Sequence, residues 1–217
     1  KNNLTITAPG PYDESQKKKV FDMTVTAWYG GSAVGIFGGS RLFLGGNKNT
    51  EEQALLVWTD LNQPLYFSEN NYTYIGDKGQ GIVALGNQES SLVVLKEREI
   101  HYTYQAMNGN VTAEDIQNQS VVDLSTLFAY FPIVQIASGI GCDSADSVQM
   151  CRNRLVWSFE GKVYTLTNQS QYSERNVFSV SEMVGKLDSA NCLSADCFDH
   201  YLLFSGNKAY VMDYNSY

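Results

Sequence analysis

The sequence predicts an all-β fold: a β-propeller or part of one, with about four blades of short antiparallel strands. Three observations lead there. First, a unit of three apolar-rich strands returns along the chain. It reads Gly81–Leu85, Leu92–Leu95 and Glu99–Tyr104, then Ser147–Cys151, Leu155–Ser158 and Lys162–Leu166, then Cys192–Ala195, Tyr201–Phe204 and Lys208–Tyr214. Units that recur at roughly 40–50 residues, each making about four short strands, are the pattern of propeller blades. Second, the 14 tyrosines and 10 phenylalanines favour pleated, half-buried surfaces. Third, 18 glycines against four prolines favour tight turns over stiff linkers.

Residues 1–20 read as a polar lead-in, with a turn at Pro9-Gly10-Pro11 and an exposed basic run at Lys17-Lys18-Lys19. Residues 21–217 read as a single β domain of repeated blades. Met23–Trp28 alternates as a half-buried strand does, and a glycine-dense stretch, Tyr29–Gly39, follows it. Arg41–Leu44 and Ala54–Trp58 are the next strands, with a turn at Gly45-Gly46-Asn47 after the first. With Leu65-Tyr66-Phe67 they make a diverged first blade, about 21–67. The second blade is about 68–105. An insert at about 106–133 is polar, with at most a short helical turn near 123–130, capped by Asp123 or Ser125 and stopped by Pro132.

The third and fourth blades span about 134–167 and 178–214. Each opens on an outer strand and a glycine-containing crossing: Val134–Ser138 then Gly139–Cys142, and Phe178–Glu182 then Met183–Lys186. The centres Leu92, Leu155 and Leu202 lie 63 and 47 residues apart, and the insert accounts for the longer gap. A β-sandwich of irregular hairpins is the competing arrangement. One blade cannot bury both of its faces, so its neighbours must supply the core. An incomplete ring leaves two open sheet edges, and open edges pair with other chains. The expectation is therefore a small ring closed with N-terminal strands, or self-association.

Composition narrows the function classes. With 43% hydrophobic residues the chain is not a disordered one. A net charge of −8 argues against general nucleic-acid binding, which depends on basic side chains displacing counterions from phosphates. No apolar run approaches the ~20 residues of a membrane helix. The chain opens on Lys1 with no signal-type apolar region and is read as a segment of a longer polypeptide. Asn-x-Ser/Thr triplets at Asn3, Asn71, Asn110, Asn118 and Asn168 do not establish secretion in a chain this rich in those residues.

Chemistry-bearing residues are sparse. Cys142, Cys151, Cys192 and Cys197 lack the tight Cys-x2-Cys pairs of zinc ribbons. They read as small buried hydrophobes, with a Cys192/Cys197/His200 metal site and a disulfide as the alternatives. His101 falls in a strand and His200 in a turn, and no Gly-x-Ser-x-Gly elbow is present to position a nucleophile. Asp60, Glu69, Asp77, Asp143, Asp146, Glu160 and Asp196 fall in turns, where a carboxylate pair would serve glycoside hydrolysis, but none has a distinctive context. Asp143-Ser-Ala-Asp146 lacks the ligand ladder of a calcium loop. Gly30-Gly31 and Gly38-Gly39 are not followed by the Gly-Lys-Ser/Thr of a phosphate cradle. Tyr72, Tyr74, Tyr102 and Tyr104 suit packed sheet faces or stacking on sugars. No catalytic, cofactor-binding or metal residue is assigned, and no cofactor is expected.

Several segments together resemble the propeller-forming structural proteins of tailed bacteriophages and prophages, including tail or head–tail proteins of the packaged-DNA-stabilisation type. They are Arg41–Asn47, Val57-Trp58-Thr59 leading to Pro64–Phe67, Gly81–Leu85, Leu92–Lys96 with Glu99–Tyr102, and Ile140-Gly141-Cys142 before Leu155-Val156-Trp157 and Gly161–Tyr164. The resemblance runs over residues ~40–214. It implies a virion assembly component made in the bacterial cytoplasm, not an enzyme. Its partners would be other virion proteins, or itself through sheet edges, with a host-surface glycan as a further candidate. The alternatives are a carbohydrate-binding or adhesion propeller and a glycoside hydrolase.

Overall fold

The computed structural model describes residues 29–34, 40–47, 49–89, 91–107, 129–167, 176–182, 184–198 and 200–213. Within them the chain is all-β, in four small antiparallel sheets that follow one another along the sequence. Sheet 1 holds β1 (Tyr29–Val34), β2 (Ser40–Gly45), β3 (Leu55–Trp58) and β4 (Tyr72–Tyr74). Sheet 2 begins with β5 (Ile82–Gln88), β6 (Ser91–Lys96) and β7 (Glu99–Tyr104). A two-stranded ribbon, β8 (Ala106–Met107) with β9 (Ala129–Tyr130), interrupts it before β10 (Ile133–Ser138) returns to pair with β7. Sheet 3 holds β11 (Gln149–Cys151), β12 (Arg154–Phe159), β13 (Lys162–Leu166) and β14 (Val177–Ser179). Sheet 4 has three strands, β15 (Cys192–Cys197), β16 (His200–Ser205) and β17 (Lys208–Asp213).

The three-strand units read from the sequence are the first three strands of sheets 2, 3 and 4. Each unit's outer strand bonds to the sheet before it: β10 completes sheet 2 and β14 completes sheet 3. Two features differ from expectation. The glycine-dense stretch opens with a strand, β1, because six residues pair in register with β2. Leu65-Tyr66-Phe67 is not a strand. Backbone bonds from Tyr66 to Gln63 and from Asp60 to Tyr66 fold it into turns, and the fourth strand of sheet 1 is Tyr72–Tyr74. The lead-in, the Met23–Trp28 strand and the 123–128 part of the helical turn lie outside the described residues.

Tight turns set the hairpin twist. Arg152-Asn153 and Glu160-Gly161 hold both central residues at positive φ (45° and 63°, 46° and 81°), the pairing that matches right-twisted strands.

The core is made between sheets. On β6, Leu92 and Val94 point to sheet 1, where Phe43, Leu56 and Trp58 meet them with Phe131. Val93 and Leu95 point the other way, to Leu155, Trp157 and Phe159 of sheet 3. All four β6 side chains are 0% exposed, which explains why this strand reads as an unbroken apolar run. Val156 and Val163 face sheet 4 and pack on Tyr201 and Leu203. The first strands follow the same order: β5 lies against β1 and β11, and β11 against β15. Among the described residues, β1 and β15 do not pack together in this way.

The crossing from β10 to β11 runs through the layer between sheets 2 and 3. Gly139 and Cys142 donate to the carbonyls of Arg98 and Lys96 (2.8 Å each), and the Trp157 indole donates to the Gly141 carbonyl at 2.8 Å. A Cβ on Gly141 would overlap the Glu97 carbonyl, a backbone group that cannot swing aside. Gly141→Ala is therefore expected to lower stability by about 1–3 kcal/mol, the usual cost of overpacking. Urea denaturation checks this, with the midpoint falling at unchanged slope.

Candidate functional site

Three places hold polar or open features. The first ties sheet 1 to sheet 2. Lys96 ends β6 fully buried, and its Nζ donates to the carbonyls of Ile75 and Asp77 (2.6 Å each) and to Glu99 Oε2 at 3.1 Å. The same carboxylate oxygen accepts the Asp77 amide at 3.2 Å and lies 3.1 Å from His101 Nε2. Gly76, at φ +53°, leaves the room: a side chain there would collide with both Glu99 and His101. The crossing from β4 to β5 is thereby fastened to the β6–β7 hairpin.

Burial holds His101 below its ordinary value, and the Lys96 charge adds to this, while Glu99 works against both. For Glu99, burial pushes upward. The hydrogen bonds from His101, the Asp77 amide and Lys96, with the Lys96 charge, outweigh it and hold the carboxyl low. The knot is thus a neutral imidazole donating through Nε2 to a carboxylate that also serves a lysine. Among the described residues, the buried His101 Nδ1 has no hydrogen-bond partner.

The second place ties sheet 3 to sheet 4. The Asp143 carboxylate accepts the Glu160 amide at 2.7 Å and the Ser189 hydroxyl. Ser189 in turn accepts the Gly161 amide at 2.8 Å. The Ser158 hydroxyl donates to the Ser189 carbonyl at 3.1 Å and lies 3.1 Å from Cys192 Sγ, and Tyr201 donates to the Ser147 carbonyl at 2.7 Å. Burial pushes the Cys142 thiol up to about 12 and raises the Tyr201 phenol, so both keep their protons at neutral pH. A thiol kept protonated is neither a nucleophile nor a good metal ligand.

The structure separates the other residues read from the sequence. All four cysteines are free thiols, and Cys197 is exposed while the other three are buried. Cys192 pairs with Ser205 and Cys197 with His200, five residues apart on opposite faces of β15, so the Cys192/Cys197/His200 set does not converge. Asp60 accepts the Asn71 side chain at 2.5 Å. Asp77 accepts the Gly79 amide at 2.9 Å, and Glu160 meets Arg98 at 3.1 Å on the surface. Asp146 lies in a short 3-10 turn, Ala145–Ser147, and Glu69 and Asp196 are exposed. Tyr72 and Tyr74 meet edge to face, with Lys78 over the Tyr74 ring, while Tyr102 and Tyr104 stack on another sheet. Among the described residues, no three His, Cys, Asp or Glu side chains gather as metal ligands do, and no helix is long and apolar enough to cross a membrane.

The interlocks themselves escape a reading by motif. Their one sequence signal is an aspartate shortly before each first strand: Asp77 before β5, Asp143 before β11 and Asp188 before β15. Asp77 and Asp188 accept local hydrogen bonds, from the Gly79 amide and the Asn191 side chain, whereas Asp143 accepts from the distant Glu160 amide.

The third place is the far face of sheet 4. Register puts Leu193, Phe204 and Ala209 in one row and Ala195, Leu202 and Val211 in the next. This face points away from sheet 3. Leu193 is 61% and Val211 62% exposed, and Phe198, in the β15–β16 turn at φ 46°, is 93% exposed. No family model, curated protein or solved structure matches the chain.

The Lys96 knot generates two predictions. Lys96→Met leaves two buried carbonyls and Glu99 without their cation, and should cost about 2–3 kcal/mol in urea denaturation. The pH dependence follows from His101 and Glu99. An imidazole held low in the fold takes up its proton first in the unfolded chain, so its contribution is complete above its ordinary value of 6.5 and lost as pH falls below it. Glu99, also held low, is expected to add a second loss as pH falls below its ordinary value of 4.5. Denaturation midpoints between pH 8 and pH 2 should show both declines, and His101→Gln should remove the first.

Proposed function

We propose that this chain is a structural component of a bacteriophage or prophage virion, of the tail or head–tail assembly. It would act through protein–protein contacts made by an arc of propeller blades. The observation that carries the reading is the outer face of sheet 4. It repeats the apolar pattern by which sheets 2 and 3 are covered, and it is exposed. A sheet face destined for water alternates towards polar residues, whereas an apolar patch marks a contact surface. The blade reading is supported by four consecutive antiparallel meanders whose first strands follow one another, β1, β5, β11 and β15.

The interior supports a scaffold more than a catalyst. Asp143, Ser189, Lys96, Glu99 and Gln88 spend their polar atoms joining successive sheets. Under this reading the protein is made in the bacterial cytoplasm and ends in the particle.

The test is mass spectrometry of gradient-purified particles from cells expressing the gene with its neighbours. Peptides of this chain should co-sediment with capsid or tail proteins in a fixed ratio. Recovery only from the soluble cell fraction would overturn the reading. Phe204→Asp with Val211→Asp should leave the unfolding free energy from urea denaturation within about 0.5 kcal/mol of the parent, as exposed substitutions do, and should reduce incorporation into particles.

A further inference from the structure

The crossing from β4 to β5 is a strap with both ends sunk in the core. Ile75 and Ile82 pack between sheets 1 and 2, and their amides donate to the Ala54 and Gln53 carbonyls at 2.9 Å. Between these anchors, Gly76, Asp77, Lys78 and Gly79 are exposed. Directly beneath them lie Lys96 and His101, which are 0% and 4% exposed. A side-chain carbon on Gly76 would stand 2.6 Å from His101 Nε2, so a single thickness of backbone separates the lysine and the imidazole from water. Gly76, at φ +53°, supplies a hinge beside the first anchor.

The bonds that hold the strap down converge on one carboxylate oxygen. Lys96 donates to the Ile75 and Asp77 carbonyls and to Glu99 Oε2, and the Asp77 amide and His101 Nε2 meet that same oxygen. Among the described residues, the charged or titratable groups around His101 are Lys96 from β6, Glu99 from its own strand and Asp77 from the strap. The Asp77 carboxylate is turned to the Gly79 amide and the Gln80 side chain, at 2.9 and 3.3 Å. The ladder neighbours of His101, Val94 on β6 and Gln135 on β10, carry no charge. A proton added to the ring therefore sets a second cation beside Lys96. It also puts an N–H on Nδ1, an atom with no hydrogen-bond partner among the described residues. A buried cation and an unpaired donor are both costly, and lifting the strap returns both to water.

We propose that the strap of residues 76–80 is an acid-released latch: protonation of His101 lifts it from the β6–β7 hairpin while Ile75 and Ile82 keep its ends in the core. Release uncovers Lys96, Glu99 and His101 and frees sheet 1 from the polar bonds that fix its alignment on sheet 2. The sign follows from linkage. The ring binds its proton more tightly with the strap open, so the open form gains as pH falls below the ordinary histidine value of 6.5. The gain ends once the ring is protonated under the closed strap as well. The latch stands on the strap and the groups beneath it, whether or not the virion reading holds.

Native-state hydrogen exchange of the intact chain, from about pH 7.5 to about pH 5.5 and at several low urea concentrations, tests the latch. The reporters are the Asp77 amide, bonded to Glu99, and the Gln80 amide, bonded to the Asp77 carbonyl. After correction for intrinsic exchange, both should open more readily at the lower pH by up to about tenfold, the limit for one proton over one pH unit. Their opening should be nearly independent of urea, whereas the β6 amides should exchange by a urea-sensitive global route. His101→Gln, which keeps a donor for Glu99, should abolish the pH dependence of the strap amides. Three results would overturn the proposal. One is strap opening that does not change with pH in the parent protein. Another is a urea dependence of the strap amides equal to that of β6, which would mean that only global unfolding exposes the ring. The third is a pH dependence that survives in His101→Gln, which would assign it to another group.

Discussion

Sheets 2 and 3 carry apolar side chains on both faces, so neither is stable without a neighbour on each side. Leu92, Val93, Val94 and Leu95 are all fully buried, and at roughly 25 cal/mol per Å² of apolar surface such a strand contributes several kcal/mol only while both flanking sheets stay in place. Cohesion therefore resides in the layers between sheets. The polar interior follows the same logic. A buried amide or carboxylate between two sheets is costly unless it is paired, and the pairs present run from one sheet to the next. Gln88 of sheet 2 accepts the Leu155 amide of sheet 3 at 3.0 Å and donates to the Thr167 carbonyl at 3.1 Å. Apolar packing drives the sheets together, and these bonds fix how they align.

The constraint accounts for what the sequence reveals. Strands covered on both faces lose the alternation of a half-solvated sheet and become short unbroken apolar runs. Leu92–Leu95 and Leu155–Trp157 are legible for that reason, and tight turns beside them set their length. Tyr201–Phe204 is an equally unbroken run although only Tyr201 and Leu203 are buried. Strand β1 is hard to read because Tyr29-Gly-Gly-Ser-Ala-Val34 has no such run. Its strand state comes from backbone pairing with β2, which leaves no trace in side-chain periodicity. Leu65-Tyr66-Phe67 errs the other way, since an apolar triplet is outweighed by local turn bonds, with Leu65 and Tyr66 left exposed.

The interlocks are less legible than the strands. Lys96 closes an apolar run and reads as the charged end of a strand at the surface. Its burial comes from the Ile75 and Asp77 carbonyls, about twenty residues away in the crossing from the previous sheet. Asp143 suggests an ion-binding turn by composition, yet its carboxylate is taken up by Glu160 and Ser189, the latter 46 residues further on. A single sequence carries local spacing well and long-range pairing poorly. The residues that look most chemical are the ones whose partners lie furthest along the chain.

Size decides how the exposed face of sheet 4 can be used. Three strands of six residues present a face of roughly 300 Å², taking about 4.8 Å between strands and 3.4 Å per residue. Stable pairwise complexes bury about 800 Å² per partner. One such face is adequate between sheets already tethered by a chain and too small to hold two free proteins together. A subunit held by several modest contacts at once gains from effective concentration what each contact lacks alone. That arithmetic favours a component of a multi-contact assembly over one half of an isolated dimer.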